Sequence, residues 1–259
     1  MIDTHCHLDR EEFDADRDAV LARAAAAGVT DVVVPAIGPD RWARLLALRS
    51  DAVRLHPALG IHPQLLPELP ARDDDRHLAD LEAALARHPV VAIGECGLDG
   101  GAVAAGAPMD RQLRVLEAHL ALAARHRLPV LLHGLHALDP LRDALLRTGL
   151  PAGGVFHSYS GSADQVGPFV RLGLHLALAG PVTYDRARKP LEAARAIPRD
   201  RLLLETDAPD QCPRPHHGRN EPAYVALVRD GVARALGLPP EEVEAFTTAN
   251  ARALLRLPA

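Results

Sequence analysis

Short apolar runs alternate with longer stretches of helical periodicity along the whole chain. The runs are Ile2 to His5, Thr30 to Pro35, Val53 to Leu59, Val90 to Ile93, Val130 to Leu132, Gly154 to His157, Leu174 to Ala177 and Leu202 to Leu204. Strand-like runs alternating with helical stretches are the rhythm of a parallel sheet with crossover helices. Between the runs, Asp110 to Arg127 carries Leu113, Leu116, Leu120 and Ala124 at helical spacing, which predicts a helix buried along that stripe. Gly28, Gly149-Leu150-Pro151 and Pro239-Pro240 punctuate the helical stretches as stops and starts. Eight such pairs predict an α/β fold, a (β/α)8 TIM barrel forming a single domain over residues 1–259. Ala71-Arg72-Asp73-Asp74-Asp75 and the loop Ala208 to Asn220 interrupt the rhythm, but neither is long enough for a linker, and no internal repeat is present.

Composition narrows the function classes. No apolar run reaches membrane-spanning length, so no membrane partner is expected. The start, Met1-Ile2-Asp3-Thr4-His5, has neither the charged nor the apolar region of a signal peptide, which predicts a cytoplasmic protein. Cys6, Cys96 and Cys212 are too few and too scattered for a disulfide framework. A net charge of −5 and a pI near 6.3 argue against an extended nucleic-acid surface, while leaving open a short substrate bound by its end. Lys189 is the only lysine, and the dominance of arginine, beside abundant alanine and proline, reads as coding bias rather than a phosphate preference.

The candidate chemistry lies where the runs end. In His5-Cys6-His7, extended backbone turns both imidazoles to one side and Cys6 to the other, so the two histidines can share a cation. Glu95, His133, His157 and Asp207 each stand at the carboxyl end of a predicted strand, the fourth, fifth, sixth and eighth. In a β/α barrel these ends converge on one mouth, where active sites are built. Four imidazoles and two carboxylates suit Zn, Mn, Fe or Mg rather than a thiolate-preferring metal. Six ligands exceed the needs of one catalytic cation, and two ions about 3.5 to 4 Å apart with Glu95 between them would use them all.

This layout resembles the amidohydrolase superfamily. Many of its members bridge two metals with a carboxylated lysine on strand 4; here Lys189 falls after strand 7, leaving Glu95 as the bridge. Asp3-Thr4-His5-Cys6-His7-Leu8-Asp9, Leu59-Gly60-Ile61-His62-Pro63, Gly94-Glu95-Cys96-Gly97-Leu98-Asp99, His157-Ser158-Tyr159-Ser160-Gly161, Glu205-Thr206-Asp207-Ala208-Pro209 and Asn220-Glu221-Pro222 resemble, in order, the signature blocks of the TatD family. PHP-type phosphoesterases also open on a histidine pair, but the Glu-Thr-Asp-Ala-Pro block and the strand count favour TatD. The resemblance implies a divalent-metal-dependent hydrolase, with 3′→5′ exodeoxyribonuclease activity among the family, and metal positions at His5, His7, Glu95, His133, His157 and Asp207.

Two positions depart from the family pattern. Leu135 stands where an arginine is common, removing a phosphate contact, and Gly100-Gly101 replaces an aromatic that would stack on a base. The sequence expectation is therefore phosphodiester hydrolysis by a metal-activated water, with two divalent cations (Mg, Mn or Zn) as cofactors and DNA ends or a small phosphoester as partners. Asp207 is the expected general base and Glu95 the bridge; His62, on the loop after strand 3, is the expected substrate contact. Glu205 shares the face of Asp207 by period 2 and is expected to form a buried ion pair. A hydrolase of a small amide, lactone or phosphoester, and a non-catalytic metal-binding protein, are the competing readings.

Overall fold

A computed structural model describes residues 1–258. Its strands are β1 (Ile2–Asp3), β2 (Asp31–Pro35), β3 (Arg54–Leu59), β4 (Ala92–Asp99), β5 (Val130–Leu135), β6 (Gly154–Phe156), β7 (Leu174–Leu178) and β8 (Leu202–Leu204). They form one parallel eight-stranded sheet in chain order. The sheet closes on itself beyond the short β1: Thr4 N donates to Leu204 O at 3.1 Å, and Cys6 bridges Ala208 in parallel. The fold is a TIM barrel. Around it run α1 (Arg17–Ala26), α2 (Trp42–Ala47), α3 (Asp74–Arg87), α4 (Gly100–Ala104), α5 (Met109–His126), α6 (Leu138–Thr148), α7 (Ala163–Arg171), α8 (Arg188–Ala196), α9 (Val225–Leu236) and α10 (Pro240–Leu255). Among the described residues no helix is long and apolar enough to cross a membrane.

Alternation along the strands divides the core in two. Each strand sends one apolar side chain into the barrel interior: Ile2, Val33, Ala58, Ala92, Leu131, Val155, Ala177 and Leu203 form one cluster, completed by Ala251 and Leu255 of α10. Their neighbours, such as Val32, Val34, Leu132 and Phe156, face the helices in the larger cluster. The interior is thus apolar at the amino ends of the strands. Two positions beyond the inward residues of β5, β6 and β8 stand the polar His133, His157 and Glu205.

Two expectations shift. In α5 the buried stripe runs through Gln112, Val115, Leu116, His119, Leu120 and Ala123, whereas Ala124 is exposed. Reading the stripe from apolar residues alone moved it round the helix, because Gln112 and His119 are core residues. Gln112 Nε2 donates to Asp99 O at 3.0 Å, and His119 Nε2 accepts from Ile61 N at 3.0 Å. The acidic run Ala71 to Asp75 enters α3 rather than a loop, with Asp74 and Asp75 in the first helical turn, where carboxylates complement the helix dipole. Asp74 is buried and accepts from Arg111 and Arg114.

Candidate metal centre

The polar end of the barrel interior is built by the same alternation. His133 lies two residues beyond Leu131 within β5, and His157 two beyond Val155, just past β6. Glu205 and Asp207 follow Leu203 at the same period. β4 does not obey this count. Its pairing with β5 slips between Ile93 and Cys96, so Glu95, three residues beyond the inward Ala92, also faces inward. The strand then continues to Asp99 instead of ending at Ile93. His5 and His7 follow β1 with Cys6 between them, and Cys6 packs into the outer core, away from both imidazoles.

Glu95 is the centre of the cluster. It is 1% exposed, and its Oε2 lies 3.0 Å from His5 Nε2 and 3.5 Å from His7 Nε2. Its Oε1 lies 2.9 Å from His157 Nε2, 3.1 Å from His133 Nδ1 and 3.0 Å from His62 Nε2. Asp207 Oδ1 closes the first half, 3.8 Å from His5 Nε2 and 3.6 Å from His7 Nε2. The six residues expected to hold metal are thus together, and His62 adjoins them. Asp207 has a left-handed φ of 57°, and its Oδ2 accepts from Gln211 Nε2. Ser158, with φ 44°, and Gln211, with φ 52°, stand at the same mouth, a concentration of costly backbone conformations in one place.

In His7, His133 and His62, hydrogen bonds on the far side of the ring indicate which nitrogen carries the proton. His7 Nδ1 lies 3.2 Å from Pro35 O, which can only accept, so the Nε2 lone pair faces the centre. His133 Nε2 lies 2.9 Å from Asp99 Oδ2, leaving its Nδ1 lone pair inward. One imidazole in each half therefore presents an acceptor to an acceptor carboxylate. A cation between them resolves that conflict, so the residues fit a metal centre. His62 is the opposite case. Its Nδ1 accepts from Gln64 N at 3.1 Å, so Nε2 holds the proton and points inward as a donor.

The electrostatics agree. Burial alone would raise the Glu95 carboxyl, but the surrounding imidazoles, His157 foremost, hold it well below the usual carboxylate range. Burial pushes His7 down to about 4 and His5 well below its ordinary value. Burial also opposes charge on His133 and His157, yet Glu95 with Asp99 or Glu205 pushes both up, so this half of the site attracts positive charge. Asp207 is raised to about 7 by burial.

Asp99 had no assigned role in the sequence, although its position signals one: it follows Glu95 by four residues on the same face of a strand. Its Oδ2 holds His133 and accepts from Gln64 Nε2 at 2.6 Å, while Oδ1 accepts from Gly101 N at 2.6 Å and caps α4. Gly100-Gly101, where the family pattern has an aromatic, opens the first turn of α4. Glu205 is fully buried, 3.4 Å from His157 Nδ1, as its strand period implied. Above the cluster lies a cavity of about 750 Å3, with Leu135 on its wall.

A TIM barrel whose mouth gathers histidines from several strands around one carboxylate is the architecture of a metal-dependent hydrolase. Comparison agrees throughout the chain. Residues 2–256 match the TatD related DNase family. YjjV of Escherichia coli, named an uncharacterized metal-dependent hydrolase, is 39% identical over 100% of this chain and 98% of its own. Its crystal structure superposes with a TM-score of 0.91 at 38% identity, covering 100% of this chain and 98% of that one. A relative from Salmonella typhimurium, 33% identical over 99% of both chains, is named 3′-5′ ssDNA/RNA exonuclease TatD. The chain belongs to the TatD family of metal-dependent hydrolases.

Proposed function

We propose that the chain cleaves phosphodiester bonds at the 3′ ends of single-stranded nucleic acid, with His5, His7, Glu95, His133, His157 and Asp207 holding two divalent cations. The observation that carries this reading is the division of labour at Glu95: one carboxylate oxygen faces His5 and His7, the other His133 and His157. That is the arrangement of a bridging ligand. Bound there, Mg, Mn or Zn supplies Lewis-acid polarisation of a phosphoryl oxygen and brings the pKa of water toward neutrality.

The chain's own groups do the rest. Asp207, its Oδ2 held by Gln211, keeps Oδ1 toward the centre and receives the proton of the attacking water. His62, whose Nε2 proton goes to Glu95 Oε1 at 3.0 Å, stands beside the centre, where that proton can turn to a substrate oxygen. The cavity, about 750 Å3 in volume, has room for a chain end above the centre. The Salmonella relative's name supports the choice of substrate.

A labelled single-stranded oligonucleotide tests it. Progressive shortening from the 3′ end with Mg2+ or Mn2+, abolished by EDTA, is expected. His5→Ala and Asp207→Ala should each lower turnover by about a hundredfold or more. Undiminished cleavage by both variants after stripping and reloading would sink the mechanism. The apolar Leu135 side of the cavity favours one second reading, a small phosphoester hydrolase. Rapid turnover of aryl phosphate esters with no oligonucleotide shortening would decide for it.

A further inference from the structure

Outside the histidine cluster, Arg10 and Arg41 are the arginines lining the cavity among the described residues, and no lysine lines it. Both stand on loops that follow β1 and β2, so the positive charge of the mouth is confined to one wall. Leu135, Leu178 and Val182 line another part of it.

The two arginines are not equivalent. Arg10 is engaged by Glu12 and by Asp210, whose Oδ2 lies 2.8 Å from Nη1. Among the described residues Arg41 makes one ion pair, with Glu11 at 3.8 Å, and that carboxylate is 76% exposed, so water screens the pair and an incoming anion can displace it; the buried Asp9, and Glu12, feel the charge of Arg41 without an ion-pair contact. The position of Arg41 is nevertheless fixed. The next residue, Trp42, is 7% exposed and its Nε1 donates to Gly60 O at 3.1 Å, tying this loop to the end of β3. Asp40, Glu68 and Asp210 also line the cavity and repel an anion, so a phosphate there needs a guanidinium, and Arg41 is the one not held by a close carboxylate.

We infer that Arg41 is the anion subsite of this cavity, holding the phosphate linkage next to the scissile one, while Leu135, Leu178 and Val182 take the apolar faces of sugar or base. The inference rests on the phosphodiesterase reading. It makes a planar guanidinium, suited to paired contacts with phosphate oxygens, the residue that sets how far the chain end enters.

The test combines two changes. Binding of a fluorescein-labelled trinucleotide is measured by anisotropy with Ca2+ in place of Mg2+, and KM and kcat are measured with Mg2+. Arg41→Ala should weaken binding and raise KM about tenfold with kcat within about twofold, and Arg41→Lys should recover part of the loss. Arg87→Ala, an exposed cation at the end of α3, should change neither. A neutral methylphosphonate next to the scissile linkage should weaken wild-type binding to the same extent and add nothing to Arg41→Ala, because both remove one contact. Unchanged binding by Arg41→Ala, multiplying effects of the two changes, or no binding by the wild type would overturn the subsite. Binding with the expected dependence but without cleavage would instead overturn the nuclease reading and leave the subsite standing.

Discussion

His133 enters the centre through Nδ1 because Asp99 occupies its Nε2, and Asp99 is itself immobilised by Gln64 and by the first turn of α4. A carboxylate behind a ligating imidazole fixes the ring and raises its basicity, and removing one costs about 10- to 100-fold in metal affinity. Asp99→Asn leaves a single acceptor oxygen, which can keep the helix cap or the ring proton but not both, and it removes the charge. Calorimetric titration with Mn2+ is expected to show weaker binding, by about tenfold or more at the weaker site, with the far-ultraviolet circular dichroism unchanged. An affinity equal to wild type would mean that Asp99 serves the helix alone. His119 makes a different residue-scale case. Burial lowers its pKa to about 4, outweighing the bond from Nδ1 to Val115 O at 2.7 Å, which favours the charged ring, and Nε2 accepts from Ile61 N, so a second proton would find no acceptor there. An unfolded histidine titrates near 6.5, so between about pH 6.5 and 4 the unfolded chain takes up a proton that the folded one refuses. Stability therefore falls as pH drops through that window, by up to about 3 kcal/mol from this residue, and is unaffected by it above. His119→Gln should give a flatter urea-midpoint profile below pH 6.5 than wild type. Parallel profiles would show that His119 is not the group responsible.

At the scale of elements, β4 beyond the slip that turns Glu95 inward lies so close to β5 that only glycine fits at one position. Gly97 pairs with His133 across the two strands, and a Cβ there would lie 2.0 Å from His133 O at a backbone φ of +149°. The three nearest atoms are all His133 backbone, so none can swing aside. Gly97→Ala is expected to cost about 3 kcal/mol or more in urea unfolding, at the severe end for one substitution. Gly106→Ala, at φ +111° with nothing within 4 Å of the added carbon, should cost less, because it carries only the backbone strain. Equal losses would remove the steric argument. The same strand shows what was legible in the sequence. All eight strands appear in the apolar runs, and His133, His157 and Asp207 follow from period 2 because their strands are regular up to the mouth. β4 is longer than its apolar run, because in Gly94 to Asp99 the apolar Cys96 and Leu98 are interrupted by two glycines and two carboxylates, which break the run without ending the pairing. Its slip has no hydrophobic signature at all. The pairing of Asp99 with His133, across 34 residues of sequence, likewise needed the register of β4 on β5, which composition does not encode.

For the molecule as a whole, one barrel interior holds two incompatible environments. Its lower end is a dry layer of eight apolar side chains closed by α10, while its upper end buries Glu95, Asp207, Glu205 and Asp99 among histidines. Buried ionised groups are costly unless paired, and like groups oppose one another at Asp207, where burial comes first and Glu95 and Glu205 add to it. The apolar layer and its helices hold the fold, so the strain at the mouth can persist without unfolding the chain. A ligand that binds only the folded state adds RT ln(1 + [L]/Kd), about 2.7 kcal/mol at a hundred times Kd. In a chain of this size each kcal/mol moves the melting temperature by about 2–4 °C, so stripping the metal should lower Tm by about 5–10 °C. Adding back Mn2+ or Zn2+ should restore it in proportion to occupancy. Glu95→Gln removes the charge that serves both halves, so its Tm should respond little to chelation, even if it is higher than that of the stripped wild type. The comparison separates a metal that completes the barrel mouth from one that merely visits it. A wild-type Tm indifferent to chelation would place the cation outside the folded state's energetics, and with it the role of Glu95 as bridge would fall.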